Sequence, residues 1–208
     1  GTHATAEPVE SLEMEESLDF VISGEAELPT RNLVRSLRGD GDIALEEIPG
    51  ISLRTPKGIQ SNPEGPKIED INTIPWVSRT YVKFLKDCYK QYFYGANLNP
   101  LIVILSGRGC PFRCTYCVVP QTLTGHTFRK RDPQDVVDEM EYIYHSFDEI
   151  GEIFFEDDTF TADHKHVKEI CNEIEKRQTK MTFSANARAD VKGDLLKQMR
   201  TAGCRELC

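Results

Sequence analysis

No basic stripe runs along this 208-residue chain, which carries a formal charge of -9. Clustered lysine and arginine are the electrostatic footprint of nonspecific nucleic-acid binding, so their absence argues against that class. It leaves open a substrate with recognition elements of its own. No apolar run approaches the roughly 20 residues of a membrane-spanning helix, and no stretch has the pattern of a signal peptide. The seven cysteines are an odd number. They do not look like a disulfide framework, and together with their clustering this favours a reducing, cytoplasmic setting. Hydrophobic residues make up 39% and charged residues 28%, the balance of a globular chain and not of a disordered one. The chain opens on Gly1 without an initiator methionine and stops at Cys208 inside what reads as a new strand. The expectation is a piece of a longer protein, with elements missing on both sides.

What is present centres on Gly109-Cys110-Pro111-Phe112-Arg113-Cys114-Thr115-Tyr116-Cys117. Three cysteines spaced C-x3-C-x2-C follow an apolar run, Leu101 to Leu105, that reads as a buried strand ending in a Ser106-Gly107-Arg108-Gly109 turn. Loops at the carboxyl end of such strands are where α/β architectures place their chemistry. Three thiols this close cannot all satisfy disulfide geometry, whereas thiolates gathered in one loop suit a soft metal or an iron–sulfur cluster. A closed site takes four protein ligands, so three imply an open coordination position. A structural zinc site closed by His126, Cys88 or Cys171 is the bland alternative. It would give a metal-stabilised binding module without turnover, but zinc motifs usually add a second Cys or His pair, which is missing.

Along the chain, residues 1–42 read as a small α/β piece: a loop-like Gly1-Thr2-His3-Ala4-Thr5, a strand over Leu18–Ile22, then a helix over Leu28–Leu37 stopped at Gly39. Residues 43–95 are dense in Pro and Gly and read as a hairpin around Thr55-Pro56-Lys57-Gly58 followed by a linker. The aromatic stretch Tyr81–Tyr94 reads as an anchoring helix. From residue 96 to 208 the pattern is regular. Asp132 as N-cap and Pro133 start a helix with Val136, Met140, Ile143, Tyr144 and Phe147 on one face. A strand over 152–156, a helix carrying Val167, Ile170, Cys171 and Ile174, a strand over 181–185, and a helix stopped by Gly203 follow, before a fourth strand from Cys204. Repeated βα units build a parallel sheet, with polar residues collected at the carboxyl ends of the strands.

With Tyr116 before its last cysteine, the motif at the end of a first barrel strand resembles that of the radical S-adenosylmethionine (SAM) superfamily. The resemblance implies that Cys110, Cys114 and Cys117 hold three irons of a 4Fe-4S cluster, with the fourth iron open to the amino and carboxylate groups of SAM. It implies a 5'-deoxyadenosyl radical and a low-potential electron donor such as flavodoxin or ferredoxin, and it names no substrate. Strand two ends in Glu156-Asp157-Asp158-Thr159-Phe160 in place of the common Gly-Gly-Glu, and strand three in Ser184-Ala185-Asn186-Ala187-Arg188. The resemblance therefore assigns Tyr116, Asp157, Asp158, Asn186 and Arg188 to SAM. The Asp-Asp-x-Phe form is similar to the cobalamin-dependent branch, whose G-x-H-x-T loop and later Gly-Glu face the corrinoid; His3, Thr5, Gly24 and Glu25 match those positions. The expected architecture is the carboxyl-terminal end of a Rossmann-like cobalamin-binding domain, then the first half of a (β/α)6 partial TIM barrel, truncated at both ends. The expected activity is methyl transfer or rearrangement at an unreactive carbon; a radical SAM enzyme that does not use cobalamin is the variant reading.

Blander readings stand beside these. Asp157 or Asp158 could cap the following helix, Asn186 and Arg188 could be solvated turn residues, and His3 a surface histidine. His164 and His166, two apart on a helix, read as surface residues on different faces. Cys88, Cys171, Cys204 and Cys208 read as buried packing residues.

Overall fold

The computed structural model describes residues 1–85, 88–91, 95 and 98–208. They divide into two compact units, residues 1–68 with 112–126, and residues 69–111 with 127–208.

The first unit opens with two short helices, α1 (Thr2–Ala6) and α2 (Pro8–Met14). The first is a correction: Gly1–Thr5 is not a loop. Thr5 N–H donates to Gly1 O at 3.0 Å and Glu7 N–H to His3 O at 2.8 Å, a helical ladder. No Gly or Pro interrupts residues 2–7, and Pro8 takes the first position of the next helix, where its missing N–H costs nothing. Strand β1 (Phe20–Ile22), helix α3 (Glu27–Arg38) and the hairpin β2 (Ile51–Thr55) and β3 (Gly58–Ser61) complete the unit. The sheet order is β1-β2-β3, antiparallel throughout, with Phe20 opposite Leu53 and Ile22 opposite Ile51. Its core is small: Ile48, Ile51 and Leu53, with Phe20, Ile22 and Leu33 packed against them. Within the same unit, a helical turn at Pro120–Thr124 packs on α1.

The second unit contains helix α4 (Val77–Leu85), strand β4 (Leu101–Ile104) and a small antiparallel ribbon of β5 (Gly107–Arg108) and β6 (Arg129–Lys130). Helix α5 (Pro133–Ser146), strand β7 (Glu152–Phe155), helix α6 (His164–Arg177), strand β8 (Phe183–Ala185), helix α7 (Gly193–Thr201) and strand β9 (Cys204–Leu207) follow in alternation. The aromatic stretch expected as one helix is helical to Leu85 and again at Tyr89–Gln91, with a turn at Cys88, and residues 86–87 and 92–94 lie outside the described residues.

Strands β4, β7, β8 and β9 form a parallel sheet in that order, with Leu101 opposite Glu152 and Ile153 opposite Phe183. Every residue of β7 and β8 is buried, as continuous apolar runs require when both faces are covered. Helices α5, α6 and α7 cover the sheet with Met140 and Ile143, Ile170 and Ile174, and Leu195 and Met199. Asp132 caps α5 by accepting from Gln134 N–H at 2.8 Å, ahead of Pro133. Phe155, Phe160 and Phe183 are fully buried and in mutual contact, with Phe155 stacked on Phe160 at 4.6 Å between ring centres. Each such ring contributes about 1.5–3 kcal/mol by leaving water. The Phe of the Asp-Asp-Thr-Phe stretch is therefore a core residue that anchors the turn after β7. Among the described residues no helix is long and apolar enough to cross a membrane.

Candidate functional site

The chain leaves β4 at Ile104 and is held from two directions before it reaches the first cysteine. From one direction comes the turn after β7. Asp157 is fully buried; its Oδ1 accepts from Ser106 N–H at 2.7 Å and its Oδ2 from the Ser106 hydroxyl at 2.5 Å. Asp158 Oδ2 accepts from Gly109 N–H at 2.8 Å, and Thr159 Oγ1 lies 3.3 Å from Cys110 Sγ. Three consecutive side chains thus grip Ser106, Gly109 and Cys110 in register. Neither aspartate caps the next helix; Asp163 does, accepting from Lys165 and His166 N–H at 2.9 and 3.1 Å.

From the other direction comes the segment after the cysteine loop. Arg131 N–H donates to Ser106 O at 2.9 Å, and Arg131 Nη1 donates to Leu105 O and to buried Glu139, each at 2.6 Å. Glu139 also accepts from the Ser78 hydroxyl at 2.7 Å, so α4 and α5 are tied to the same arginine. A Cβ on Gly107 would come within 2.3 Å of the Phe128 ring, so the ribbon closes this tightly only with glycine there.

His166 corrects an expectation. It is fully buried, with Nε2 3.2 Å from Ser106 O, so Nε2 carries the proton and Nδ1 does not. That Nδ1 is buried without a hydrogen-bond partner among the described residues, and burial holds the imidazole below its usual pKa. The two-residue spacing rightly separated His164 from His166 onto different faces, but His166 occupies the inner face.

Burial pushes the Asp157 carboxyl up to about 7. The bonds from Ser106 and Gly107 pull the other way, and the charge of Asp158 adds to the rise. The groups that offset the desolvation are neutral donors, the Ser106 hydroxyl and the Ser106 and Gly107 N–H groups.

The expected ligands have different settings. Cys110 is buried and belongs to the second unit; Cys114 and Cys117 are half-buried and belong to the first. Cys117 N–H donates to Cys114 O at 3.1 Å, which makes that pair a tight turn. None of the seven thiols is in a disulfide, and among the described residues no three His, Cys, Asp or Glu side chains are gathered at metal-binding spacing. The donor chemistry fits a thiolate-ligated cluster: three unoxidised thiols in eight residues, starting from a braced strand end. Cys171 and Cys204 are buried as expected, whereas Cys208 is exposed and Cys88 half-buried.

Tyr116 is 87% exposed. Asn186 joins the turn after β7, with Nδ2 donating to Asp157 O at 3.3 Å and its carbonyl accepting from Phe160 N–H at 2.9 Å. Arg188 pairs with Asp190 at 3.0 Å. In the first unit, Thr5 is buried and its hydroxyl accepts from Gly24 N–H at 3.1 Å, whereas His3 is exposed on α1. Gly24 has φ +73°, and a Cβ there would press on the Glu64 carboxylate at 3.1 Å. Glu25 lines a cavity of about 250 Å³ together with Ser23, Arg31, Glu64 and Lys67. The sequence reading gives Ser106 and Thr159 no role and takes His166 for a surface residue; a small polar residue after a buried strand, aligned with Asp-Asp-Thr on the neighbouring strand, is the available signal.

Comparison with known proteins gives this geometry its context. The Radical SAM superfamily model matches residues 104–207, half of the chain. An uncharacterized methyltransferase of Pyrococcus horikoshii is 29% identical over 205 residues, covering 98% of this chain and 42% of the relative. The anaerobic magnesium-protoporphyrin IX monomethyl ester cyclase of Cereibacter sphaeroides is 30% identical over 211 residues, covering 98% of this chain and 33% of the relative. Among solved structures, the radical SAM methyltransferase TsrM from Kitasatospora setae, with cobalamin and a [4Fe-4S] cluster bound, superposes with a TM-score of 0.70 at 21% identity. That match covers 100% of this chain and 40% of TsrM. The chain thus spans less than half the length of each of these relatives. The likeness to TsrM establishes the fold over both units. With the family model running from the last residue of β4 through Cys110 and strands β7, β8 and β9 to Leu207, the chain belongs to the radical SAM superfamily.

Proposed function

We propose that this chain is the cofactor-binding part of a cobalamin-dependent radical SAM enzyme that transfers a methyl group, or carries out a related transformation, at an unreactive carbon. The observation that carries the reading is the position of the C-x3-C-x2-C motif, beginning at the braced carboxyl end of β4 in a family-matched parallel βα sheet. Cys110, Cys114 and Cys117 would ligate a 4Fe-4S cluster. When bound, that cluster supplies the electron that cleaves SAM to a 5'-deoxyadenosyl radical, and a corrinoid supplies a methyl carrier.

The chain's own residues bind and orient. Asp157, with both oxygens on Ser106, acts on SAM only through the loop it holds in place. Asp158 fixes Gly109 and keeps its other oxygen for an ammonium group. Asn186 presents an amide beside the turn after β7, and Arg188 exchanges Asp190 for the SAM carboxylate. Tyr116, exposed in the cysteine loop, offers a ring face to the same ligand. On the corrinoid side stand His3 and Thr5 on α1, with Gly24 and Glu25 beyond. The packing of Pro120–Thr124 on α1 supports placing a second cofactor near the end of the cysteine loop.

The test uses full-length protein, reconstituted anaerobically with iron and sulfide and then reduced in the presence of SAM. 5'-Deoxyadenosine is expected from the wild type and not from Cys114→Ala; its formation by that variant would overturn the assignment. A corrinoid absorbance retained by the full-length protein supports cobalamin use, and its absence after incubation with hydroxocobalamin leaves a radical SAM enzyme without it.

A further inference from the structure

The cluster reading above leaves one side chain at the strand end unused. Thr159 precedes a short helical turn, Phe160–Ala162, in the position where a threonine hydroxyl normally accepts from the backbone, yet its side chain makes no such capping bond. Its Oγ1 instead donates to Asp158 O at 2.7 Å and lies 3.3 Å from Cys110 Sγ, within hydrogen-bond reach of sulfur. Thr159 is 7% exposed and Cys110 8%, so the contact is dry. The backbone holding it is fixed by Phe160 in the core and by the two aspartates on Ser106 and Gly109.

In the free thiol, the hydrogen between these two atoms can come from the sulfur. A cysteine that ligates iron has no hydrogen on its sulfur, so any hydrogen bond across this contact must then be donated by Thr159. A bond to an anionic sulfur is stronger than one to a neutral carbonyl, which favours rotation of the hydroxyl from Asp158 O to Cys110 Sγ. Dry surroundings strengthen it further.

Resting on that cluster reading, we propose that Thr159 donates a hydrogen bond to the sulfur of Cys110 when this cysteine ligates the cluster, and so raises the cluster's reduction potential. The direction follows from charge. Reduction adds an electron to the cluster and its sulfurs, and a donor aimed at a ligand sulfur stabilises the more negative state. Cys114 and Cys117 are half-buried, so of the three ligands Cys110 is the one in a dry site.

The experiment is a spectroelectrochemical titration of the reconstituted full-length protein, comparing wild type with Thr159→Val, Thr159→Ala and Thr159→Ser. Valine keeps the shape without the hydroxyl and serine keeps the hydroxyl. In valine the reduction equilibrium should fall about tenfold, roughly 59 mV for one electron, with iron content unchanged; serine should titrate with the wild type. Should valine fail to hold a cluster, alanine, which adds no bulk, decides by the same shift. A wild-type protein that takes up no iron overturns the cluster reading and this inference with it. A cluster with the same potential in wild type, valine and alanine overturns the inference alone, as does a serine variant that shifts as far as valine.

Discussion

Strand β7 carries a buried carboxylate at each end, and the two are held in opposite ways. Glu152, at its start, accepts from Leu98 N–H at 2.7 Å, from the Ser184 hydroxyl at 2.5 Å and from Arg205 at 3.1 Å. Burial works against its charge, but the Arg205 guanidinium and the Ser184 hydroxyl hold its pKa below the ordinary glutamate value. Asp157, two residues past the other end, is just as buried, yet its bonds come from Ser106 and Gly107, and its carboxyl is pushed up to about 7. The amino end of the sheet is a closed ion pair. The carboxyl end is a desolvated acid beside the loop that begins the cysteine motif. One end is built to stay together, the other to hold a loop in a defined position near polar, exchangeable groups. That division matches the way parallel βα architectures separate stability from chemistry.

The largest loss is expected at Glu152. Glu152→Ala strips the acceptor from three donors and should lower stability by about 3 kcal/mol, read from urea unfolding of the full-length protein. Asp157→Ala removes the Ser106 lock and should cost less, about 2 kcal/mol, because the carboxyl it removes is itself disfavoured; a loss larger than that of Glu152→Ala would reverse the ranking.

The pH response sharpens the contrast. A carboxyl at about 7 folded and near 3.8 unfolded gives stability that is fully present below pH 3.8 and declines as pH rises through 7. Asp157→Asn should flatten that decline between about pH 4 and 7. Glu152, with its folded value lowered, contributes in the other sense: its stabilisation is present above about pH 4.5 and lost as the solution becomes more acid. Glu152→Gln should therefore blunt the acid limb and leave the neutral one alone. Melting temperatures across pH 3.5–8 check both, and equal slopes in the two variants would contradict the assignment.

The smallest effect lies in the first unit. Gly24→Ala forces a non-glycine residue to φ +73° against Glu64 and should cost about 1 kcal/mol. Hydrogen exchange should report it in β1 to β3 and not in β4 to β9.

The second unit was legible because its signal is periodic. Val136, Met140 and Ile143, or Ile170, Cys171 and Ile174, fall on one helical face, and runs such as Ile153-Phe154-Phe155 have no other home than a strand covered on both sides. The first unit buries five large apolar side chains, Leu12, Val21, Ile48, Ile51 and Leu53, too few and too scattered to leave a period. Its β1 pairs antiparallel with a hairpin nearly thirty positions away in sequence, a partner no local pattern names. The Thr2–Ala6 helix is hard to read because its two alanines are offset by two threonines and a histidine, and the i-to-i+4 bonds that define it are invisible in composition. In the site, the cysteines announced themselves by spacing. His166, Ser106 and Thr159 did not, because each acts through a partner thirty or more residues away, brought close only by the parallel register.

Whether the three cysteines beginning at the braced end of β4 carry an iron–sulfur cluster with a place for SAM is decided by electron paramagnetic resonance of the reduced, reconstituted full-length protein, with iron and sulfide quantified alongside. Iron and acid-labile sulfide are expected together, with a reduced-cluster signal that changes when SAM is added and is absent in Cys117→Ala. Tightly bound zinc with no sulfide, or a cluster signal indifferent to SAM, would contradict the cluster assignment.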